Sequence, residues 1–331
     1  MKPSTIIVIG ASAGGVDALA NLAAELPADL PAAIFIVLHI GAHKSQLPWL
    51  LNQRGPVPAG HPADGDAIEA GRIYIAPPDH HMILEAGRVR LTKGPRENLA
   101  RPAIDPLFRS AAEDYGRDVI GVILTGGLND GTAGLYEVKE RGGLAIVQDP
   151  AGAENPSMPQ SALAHVAVDH CLPLVAIAPL LVRLVKARAK VVRKASQPST
   201  KIQVPEMTAE FTLHRPVAVT CPDCGGALRR KELGTLTQFE CHIGHRYTAE
   251  VMLAAQFLAM ERFIESAMRS MSERAELCRE MAEKPGPDRG VKEPWLAAMH
   301  EAKDQTAPLR ALLERQWLHP KAAGLETAPA L

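Results

Sequence analysis

Two groups of residues in this chain have types and spacings from which chemistry can be built. The first is Ser12, His39 and Asp130; the second is Cys221, Cys224, Cys241 and His245. Ser12 lies in Gly10-Ala-Ser-Ala-Gly14, a Gly-x-Ser-x-Gly turn that follows the apolar run Thr5–Ile9. Small neighbours let the backbone bend sharply there and expose a hydroxyl at the carboxyl edge of a sheet. The N–H groups of a following helix would stabilise negative charge beside it. A phosphate-binding serine, or a turn with only a structural role, fits the same five residues. Dinucleotide binding does not fit. It needs glycine where Ser12 stands and an acid after the second strand, where the sequence has Leu38-His-Ile40.

Two further strand ends favour acyl transfer. His39 follows the strand expected over Ala33–Leu38. Asp130 follows the strand expected over Val119–Leu124, through Thr125-Gly-Gly-Leu-Asn-Asp-Gly131. In an open α/β sheet the loops at the carboxyl ends of strands share one crevice, so residues far apart in sequence meet there. Ser12 would be the nucleophile and His39 the general base. Asp130 would fix the imidazole tautomer and stabilise its cation. The order Ser…His…Asp differs from the Ser…Asp…His order of α/β-hydrolases, which argues against an ordinary lipase or esterase.

The second group reads as a metal site. Cys221-Pro-Asp-Cys224 and Cys241-His-Ile-Gly-His245 give Cys-x2-Cys, 16 residues, then Cys-x3-His. Each knuckle turns two ligands onto one cation, and together they close a tetrahedron. We expect a structural zinc on Cys221, Cys224, Cys241 and His245. His242 is the rival fourth ligand, although its place directly after Cys241 should point it away. With four protein ligands no position is left open for catalysis by the metal. The remaining cysteines, Cys171 and Cys278, read as ordinary core or surface thiols. The total of five is odd, which speaks against a disulfide framework.

Short β-branched runs alternate with helical spacing through residues 4 to 185. Strands are expected at Thr5–Ile9, Ala33–Leu38, Arg72–Ala76, Met82–Leu84, Arg88–Leu91, Val119–Leu124 and Leu144–Gln148. Helices are expected at Val16–Leu26, Leu47–Gln53, Ile104–Tyr115 and Ala133–Arg141. The pattern predicts an α/β domain, a doubly wound and mainly parallel sheet, over 1–185. The pair around Ala86-Gly87 reads as a hairpin, which suggests a mixed sheet. Residues 186–214 read as a basic linker, with six Lys/Arg and no acid over 186–201. A small zinc-ribbon-like module follows at 215–247, then a helical hairpin at 248–318 that starts on the N-cap residue Thr248, then a flexible tail at 319–331. The Met and aromatic positions of the hairpin are expected to pack its helices together.

Composition narrows the function. The chain has 331 residues, 47% hydrophobic and 22% charged, which excludes a mostly disordered protein. Lys+Arg number 36 against Asp+Glu 37, so no whole-chain basic field draws it to nucleic acid or anionic lipid. The longest apolar stretch, Cys171–Val182, is about a dozen residues and holds Pro173 and Pro179, too short and broken to span a bilayer. The N-terminus runs directly into a strand pattern. A cytoplasmic protein without membrane insertion is therefore expected.

The chain also resembles the catalytic domain of CheB-type chemotaxis methylesterases. The matching blocks are Ile6-Ile-Val-Ile-Gly-Ala-Ser-Ala-Gly-Gly15, Val37-Leu-His39, Gly71-Arg-Ile-Tyr-Ile-Ala-Pro-Pro-Asp-His-His-Met82, Arg101-Pro-Ala-Ile-Asp-Pro-Leu-Phe-Arg-Ser-Ala-Ala112, Gly121-Val-Ile-Leu-Thr-Gly126 with Asn129-Asp-Gly131, and Ala145-Ile-Val-Gln-Asp149 with Met158-Pro-Gln-Ser-Ala162. The resemblance implies removal of methyl esters from glutamate side chains of chemoreceptors, deamidation of certain glutamines there, and a triad at Ser12, His39 and Asp130. It implies a methyl-accepting receptor as partner and no cofactor for catalysis. Two departures bear on activity. Ala13 stands where the family has Thr or Ser. Thr125-Gly-Gly-Leu128 stands where it has Thr-Gly-Met-Gly, whose methionine N–H is a candidate oxyanion donor. Gly127 offers an N–H in its place, less restrained. No receiver segment precedes Lys2 in this sequence, so control by an attached receiver is not expected. Two rival readings remain: a signalling scaffold of the same fold with weakened turnover, and a zinc-ribbon nucleic-acid binder, the latter disfavoured by the module's mixed charge. Arg101 and Arg109 are expected in fold-stabilising ion pairs, with steering of acidic receptor helices as the alternative. His80 and His81 are expected to make turn contacts.

Overall fold

The computed structural model describes residues 3–40, 45–194, 219–283 and 292–315. These fall into two compact units, one extending through Met252 and one beginning at Leu253.

The first unit is built on nine strands followed by a small β module. The strands are β1 (Ile6–Ala11), β2 (Ala33–Leu38), β3 (Ala59–Gly60), β4 (Arg72–Ile75), β5 (His81–Glu85), β6 (Arg88–Thr92), β7 (Val119–Ile123), β8 (Leu144–Gln148) and β9 (His170–Leu172). Six helices intervene: α1 (Gly15–Ala24), α2 (Leu47–Arg54), α3 (Ile104–Tyr115), α4 (Thr132–Glu140), α5 (Ser157–His165) and α6 (Leu174–Lys194). Seven strands form one sheet in the order β3-β4-β2-β1-β7-β8-β9, and every neighbouring pair is parallel. The central strands β1, β2 and β7 are buried at every position, which a parallel sheet covered on both faces requires.

Alternation along β1 divides the core. Ile7, Ile9 and Ala11 face α1, α2 and α6 through Leu19, Leu51 and Leu181. Ile6 and Val8 face α3, α4 and α5 through Phe108, Leu135 and Met158. Each of the larger of these side chains contributes about 1.5–3 kcal/mol by leaving water. The sheet order reverses at β1. The chain runs outward from it to β2 and β4, then returns to its other side at β7. A crevice at the carboxyl ends of β1 and β7 follows from that reversal.

Three expectations are corrected. The hairpin β5–β6 does not join the main sheet but makes a separate two-stranded ribbon, so the main sheet is parallel rather than mixed. Its Met82, Leu84 and Val89 pack onto the face that α3 covers. The apolar stretch from Cys171 holds β9 and the start of α6, neither of which the periodicity had marked. Pro179 lies inside α6 and removes one helical hydrogen bond, yet buried Ile177, Ala178, Leu180 and Leu181 keep the helix on the sheet. Finally, α6 continues to Lys194, so the first part of the stretch read as a basic linker is helical. Residues 195–214 of that stretch, and the tail 319–331, lie outside the described residues.

The β module of the first unit consists of β10 (Leu228–Leu233), β11 (Leu236–Cys241) and β12 (Arg246–Thr248), antiparallel and in that order. Leu233 and Leu236 at its β10–β11 turn pack on Ala133 and Tyr136 of α4. The second unit is helical. It contains most of α7 (Ala249–Glu283) and all of α8 (Lys292–Leu313), with Ala275, Cys278, Met299 and Ala302 buried between them. No described helix is long and apolar enough to cross a membrane.

Candidate active site and candidate metal centre

The register of the sheet sets the first group of residues. Ala11 pairs with Leu38, so Ser12 and His39 leave adjacent strands side by side, and the His39 N–H donates to Ala11 O at 3.3 Å. The Ser12 N–H donates to Thr125 O at 3.0 Å, which ties the turn after β1 to the loop after β7. Asp130, at the far end of that loop, accepts a hydrogen bond from His39 Nε2 at 2.8 Å. A carboxylate can only accept, so Nε2 carries the proton and Nδ1 is left as the basic nitrogen. Among the described residues no hydrogen bond joins the Ser12 hydroxyl to His39; what brings those two together is strand register.

Asp130 is buried and fully bonded. Oδ2 also accepts the Ile104 N–H at the start of α3 (2.6 Å), and Oδ1 accepts Asn98 Nδ2 (2.9 Å). Asn98 Nδ2 bonds a second buried carboxylate, Asp105 Oδ2, at 2.8 Å. Burial pushes both acids up, and their environments then separate them. For Asp130 the bonds from His39, Ile104 and Asn98, with the charge of His39, more than offset burial and hold the carboxyl below its ordinary value. For Asp105 burial and the charge of Asp130 dominate and raise it well above that value. The surroundings thus favour the charged form of Asp130 and disfavour that of Asp105.

A depressed carboxyl stabilises the fold above the ordinary carboxylate range, and that stabilisation fades as pH falls toward its lowered native value. Asp130→Asn should therefore be less stable than wild type at neutral pH, by about 1–3 kcal/mol. The deficit should shrink between about pH 5 and pH 3. Urea melts across that range check this; a constant deficit would mean that Asp130 is not preferentially charged in the fold.

Gly126 makes the approach of the two loops possible. A Cβ there would stand 2.9 Å from Ser12 Cβ and run into the Met158 thioether. The thioether is flexible, but Ser12 Cβ can retreat only by moving the Ser12 hydroxyl. Gly126→Ala should cost about 1–3 kcal/mol in a denaturant melt. It should also slow labelling of Ser12 by a serine-reactive phosphonate; labelling at the wild-type rate would show that the close approach does not matter. Around this junction the Gly126 N–H is taken by Asn155 O, and Thr125 N–H by Gln148 Oε1. The N–H groups of Ala13 and Gly127 have no protein acceptor among the described residues. Leu128, in the segment where this chain departs from the family pattern, has φ 60, a left-handed conformation that disfavours leucine by roughly 1–2 kcal/mol.

The weaker sequence candidates go to structural duties. Arg101 grips Asp79 through Nε and Nη2 and reaches Gly94 O. Arg109 pairs with both oxygens of Glu97. His80 Nδ1 contacts Pro78 O within its own turn. His81 is buried, with Nε2 on Pro95 O and Nδ1 accepting the Ala103 N–H, and burial lowers its basicity. Asn98, Asp105, Asn129 and Gln148 were not foreseen. Asp105, Asn129 and Gln148 lie within the family-matching blocks, but their roles rest on contacts between distant segments, and Asn98 lies outside those blocks.

The second group clusters as its spacing requires. Ligand atoms of Cys221, Cys224, Cys241 and His245 lie within 4.8 Å of one another. Cys224 Sγ and Cys241 Sγ are 3.7 Å apart, and His245 Nδ1 is 3.7 Å from Cys221 Sγ and 3.5 Å from Cys241 Sγ. A zinc tetrahedron with ordinary bond lengths has edges of about 3.8 Å between thiolates and about 3.5 Å between thiolate and imidazole. The donor set therefore fits zinc. His242 is exposed, outside the cluster, and its ring lies over Gly226.

Comparison with known proteins gives one consistent result. The sequence model described as CheB methylesterase matches residues 7–181. A provisionally named protein-glutamate methylesterase/protein-glutamine glutaminase of Leptospira interrogans is 42% identical over 181 residues, 54% of this chain and 93% of that protein. The protein-glutamate methylesterase/protein-glutamine glutaminase 2 of Anaeromyxobacter dehalogenans is 41% identical over 170 residues, 51% of this chain and 50% of that protein. The chain thus spans nearly all of the first relative and about half the length of the second. The crystal structure of the Thermotoga maritima CheB methylesterase catalytic domain superposes with a TM-score of 0.53 at 34% identity, covering 54% of this chain and 98% of that one.

Proposed function

The chain belongs to the CheB methylesterase family, and we propose on that footing that it hydrolyses methyl esters of glutamate side chains in methyl-accepting chemotaxis receptors. Deamidation of receptor glutamines would use the same chemistry. The observation that carries this reading is the His39–Asp130 hydrogen bond at 2.8 Å, beside Ser12 and at the point where the sheet order reverses.

Ser12 Oγ attacks the ester carbonyl carbon while its proton passes to His39 Nδ1. Asp130 holds the opposite nitrogen and stabilises the imidazolium. The tetrahedral oxyanion takes hydrogen bonds from the N–H groups of Ala13, in the turn ahead of α1, and Gly127. Collapse breaks the bond to methoxide, which leaves as methanol with the proton from His39. Water, deprotonated by His39, then attacks the acyl-enzyme, and the carboxylate departs as Ser12 recovers its proton. No metal enters these steps.

The Cys/His module supports a separate assignment, a structural zinc on Cys221, Cys224, Cys241 and His245. Four protein ligands leave the ion no open position, so it supplies folding energy and not Lewis-acid chemistry. The catalytic reading is tested by treating the intact chain with a fluorophosphonate and, separately, with methylated receptor. A single adduct on Ser12 and release of methanol are expected. An adduct on another serine, or no methanol, would overturn it.

A further inference from the structure

We infer that the Cys/His module positions the catalytic aspartate: strand β12, clamped at one end by the metal ligand His245, holds Asn98 and the Asp130 loop in their working geometry. This rests on the roles proposed above for Asp130 and for zinc.

The links are continuous. His245 is followed directly by β12, and the preceding ligand Cys241 closes β11, with the Cys241 N–H on His245 O at 3.0 Å. A metal therefore fixes both arms of the turn that leads into β12. Arg246 O accepts the Asn98 N–H at 2.8 Å, and Arg246 also pairs alongside Glu97. Two residues on, the Thr248 N–H donates to Asn98 Oδ1 at 3.2 Å. The Asn98 amide has only one orientation that works. Its oxygen must meet the N–H of Thr248, and its nitrogen must meet Asp130 and Asp105, which accept. Asn98 and Leu99 both have positive φ, 50 and 64, an unfavourable pair that persists only where surrounding contacts over-determine it.

A second link reaches the residue next to Asp130. Thr248 Oγ1 donates to Asn129 Oδ1 at 2.7 Å, and Asn129 Nδ2 donates to Glu250 Oε2 at 2.7 Å. Asn98, Asn129 and Thr248 are all buried, so water does not stand in for a lost partner. Docking of the module on α4 through Leu233 and Leu236 is a separate contact that these bonds do not need. Mere attachment would be served by that apolar patch; the polar links add direction, and they point at Asp130.

The test uses the full chain in four forms: zinc-loaded wild type, chelator-stripped wild type, and zinc-loaded Thr248→Val and Thr248→Ser, with zinc measured in each. Two quantities are read, hydrogen exchange over residues 96–101 and the rate of fluorophosphonate labelling at Ser12. Stripping zinc should speed exchange there at least tenfold and slow labelling at least tenfold. Thr248→Val loses the hydroxyl link to Asn129 but keeps the backbone N–H that meets Asn98. It should slow labelling at least tenfold with its zinc retained and leave exchange over 96–101 near wild type, and Thr248→Ser, which keeps the hydroxyl, should restore labelling. With methylated receptor the Thr248→Val loss should appear in kcat and leave KM near wild type. Wild-type exchange in the stripped protein, or wild-type labelling of zinc-loaded Thr248→Val, would overturn the inference. Absence of Ser12 labelling in every form would instead defeat the catalytic reading. The exchange data alone would then decide whether β12 holds Asn98.

Discussion

Ser12→Ala is expected to lower methanol release from methylated receptor by about four to six orders of magnitude, leaving only what binding and oxyanion contacts supply. The same assay should find His39→Ala nearly as damaged. The double variant should be no worse than either alone, because nucleophile and base act as one unit. That non-additivity separates a triad from two residues that each merely shape the site. Asp130→Asn should fall by about 10⁴, since an amide donor facing Nε2 favours the wrong tautomer. Residual turnover within tenfold of wild type in Ser12→Ala would end the assignment, whatever the other variants did.

The second large effect belongs to the Cys/His cluster. Cys241 sits at its centre, with Sγ 3.7 Å from Cys224 Sγ, 3.5 Å from His245 Nδ1 and 3.3 Å from the His245 N–H. Structural zinc binding in such modules is worth about 10–16 kcal/mol in apparent free energy. Wild type should carry one zinc per chain through dialysis against a weak chelator, and Cys241→Ala should carry none. Exchange protection over 219–248 should collapse in that variant, while the strands of the parallel sheet keep theirs. Full zinc retention by Cys241→Ala would mean that another donor set, such as one recruiting His242, holds the ion.

Much of the frame was legible from pattern alone. β2, β8 and α3 fall on their expected residues because their apolar spacing is regular and their ends carry turn residues. Ser12, His39 and Asp130 were reachable because each follows a strand, and parallel strands gather their carboxyl ends. The cysteine knuckles were legible for a similar reason, since ligand spacing is local. What escaped depends on contacts between remote segments. β3 is two residues long and β9 three, and pairing with a longer neighbour makes both. α6 hid behind its internal proline. Asn98 and Thr248 are 150 positions apart, and no periodicity connects an amide in a loop to a threonine that also looks like a plain helix cap.

The way the imidazole of His39 is turned has a consequence for how accuracy is built. With Nε2 committed to Asp130, the nitrogen left for the proposed proton transfer is Nδ1, the one nearest the backbone. Its placement is inherited from the main chain, and so from the pairing of Ala11 with Leu38. A single residue inserted before His39 is expected to turn its ring toward the opposite face of the sheet and to abolish the proposed proton transfer. Tolerance to insertion at this strand end is accordingly a measure of how much of the catalytic alignment is written in hydrogen-bond ladders and how little in rotamers.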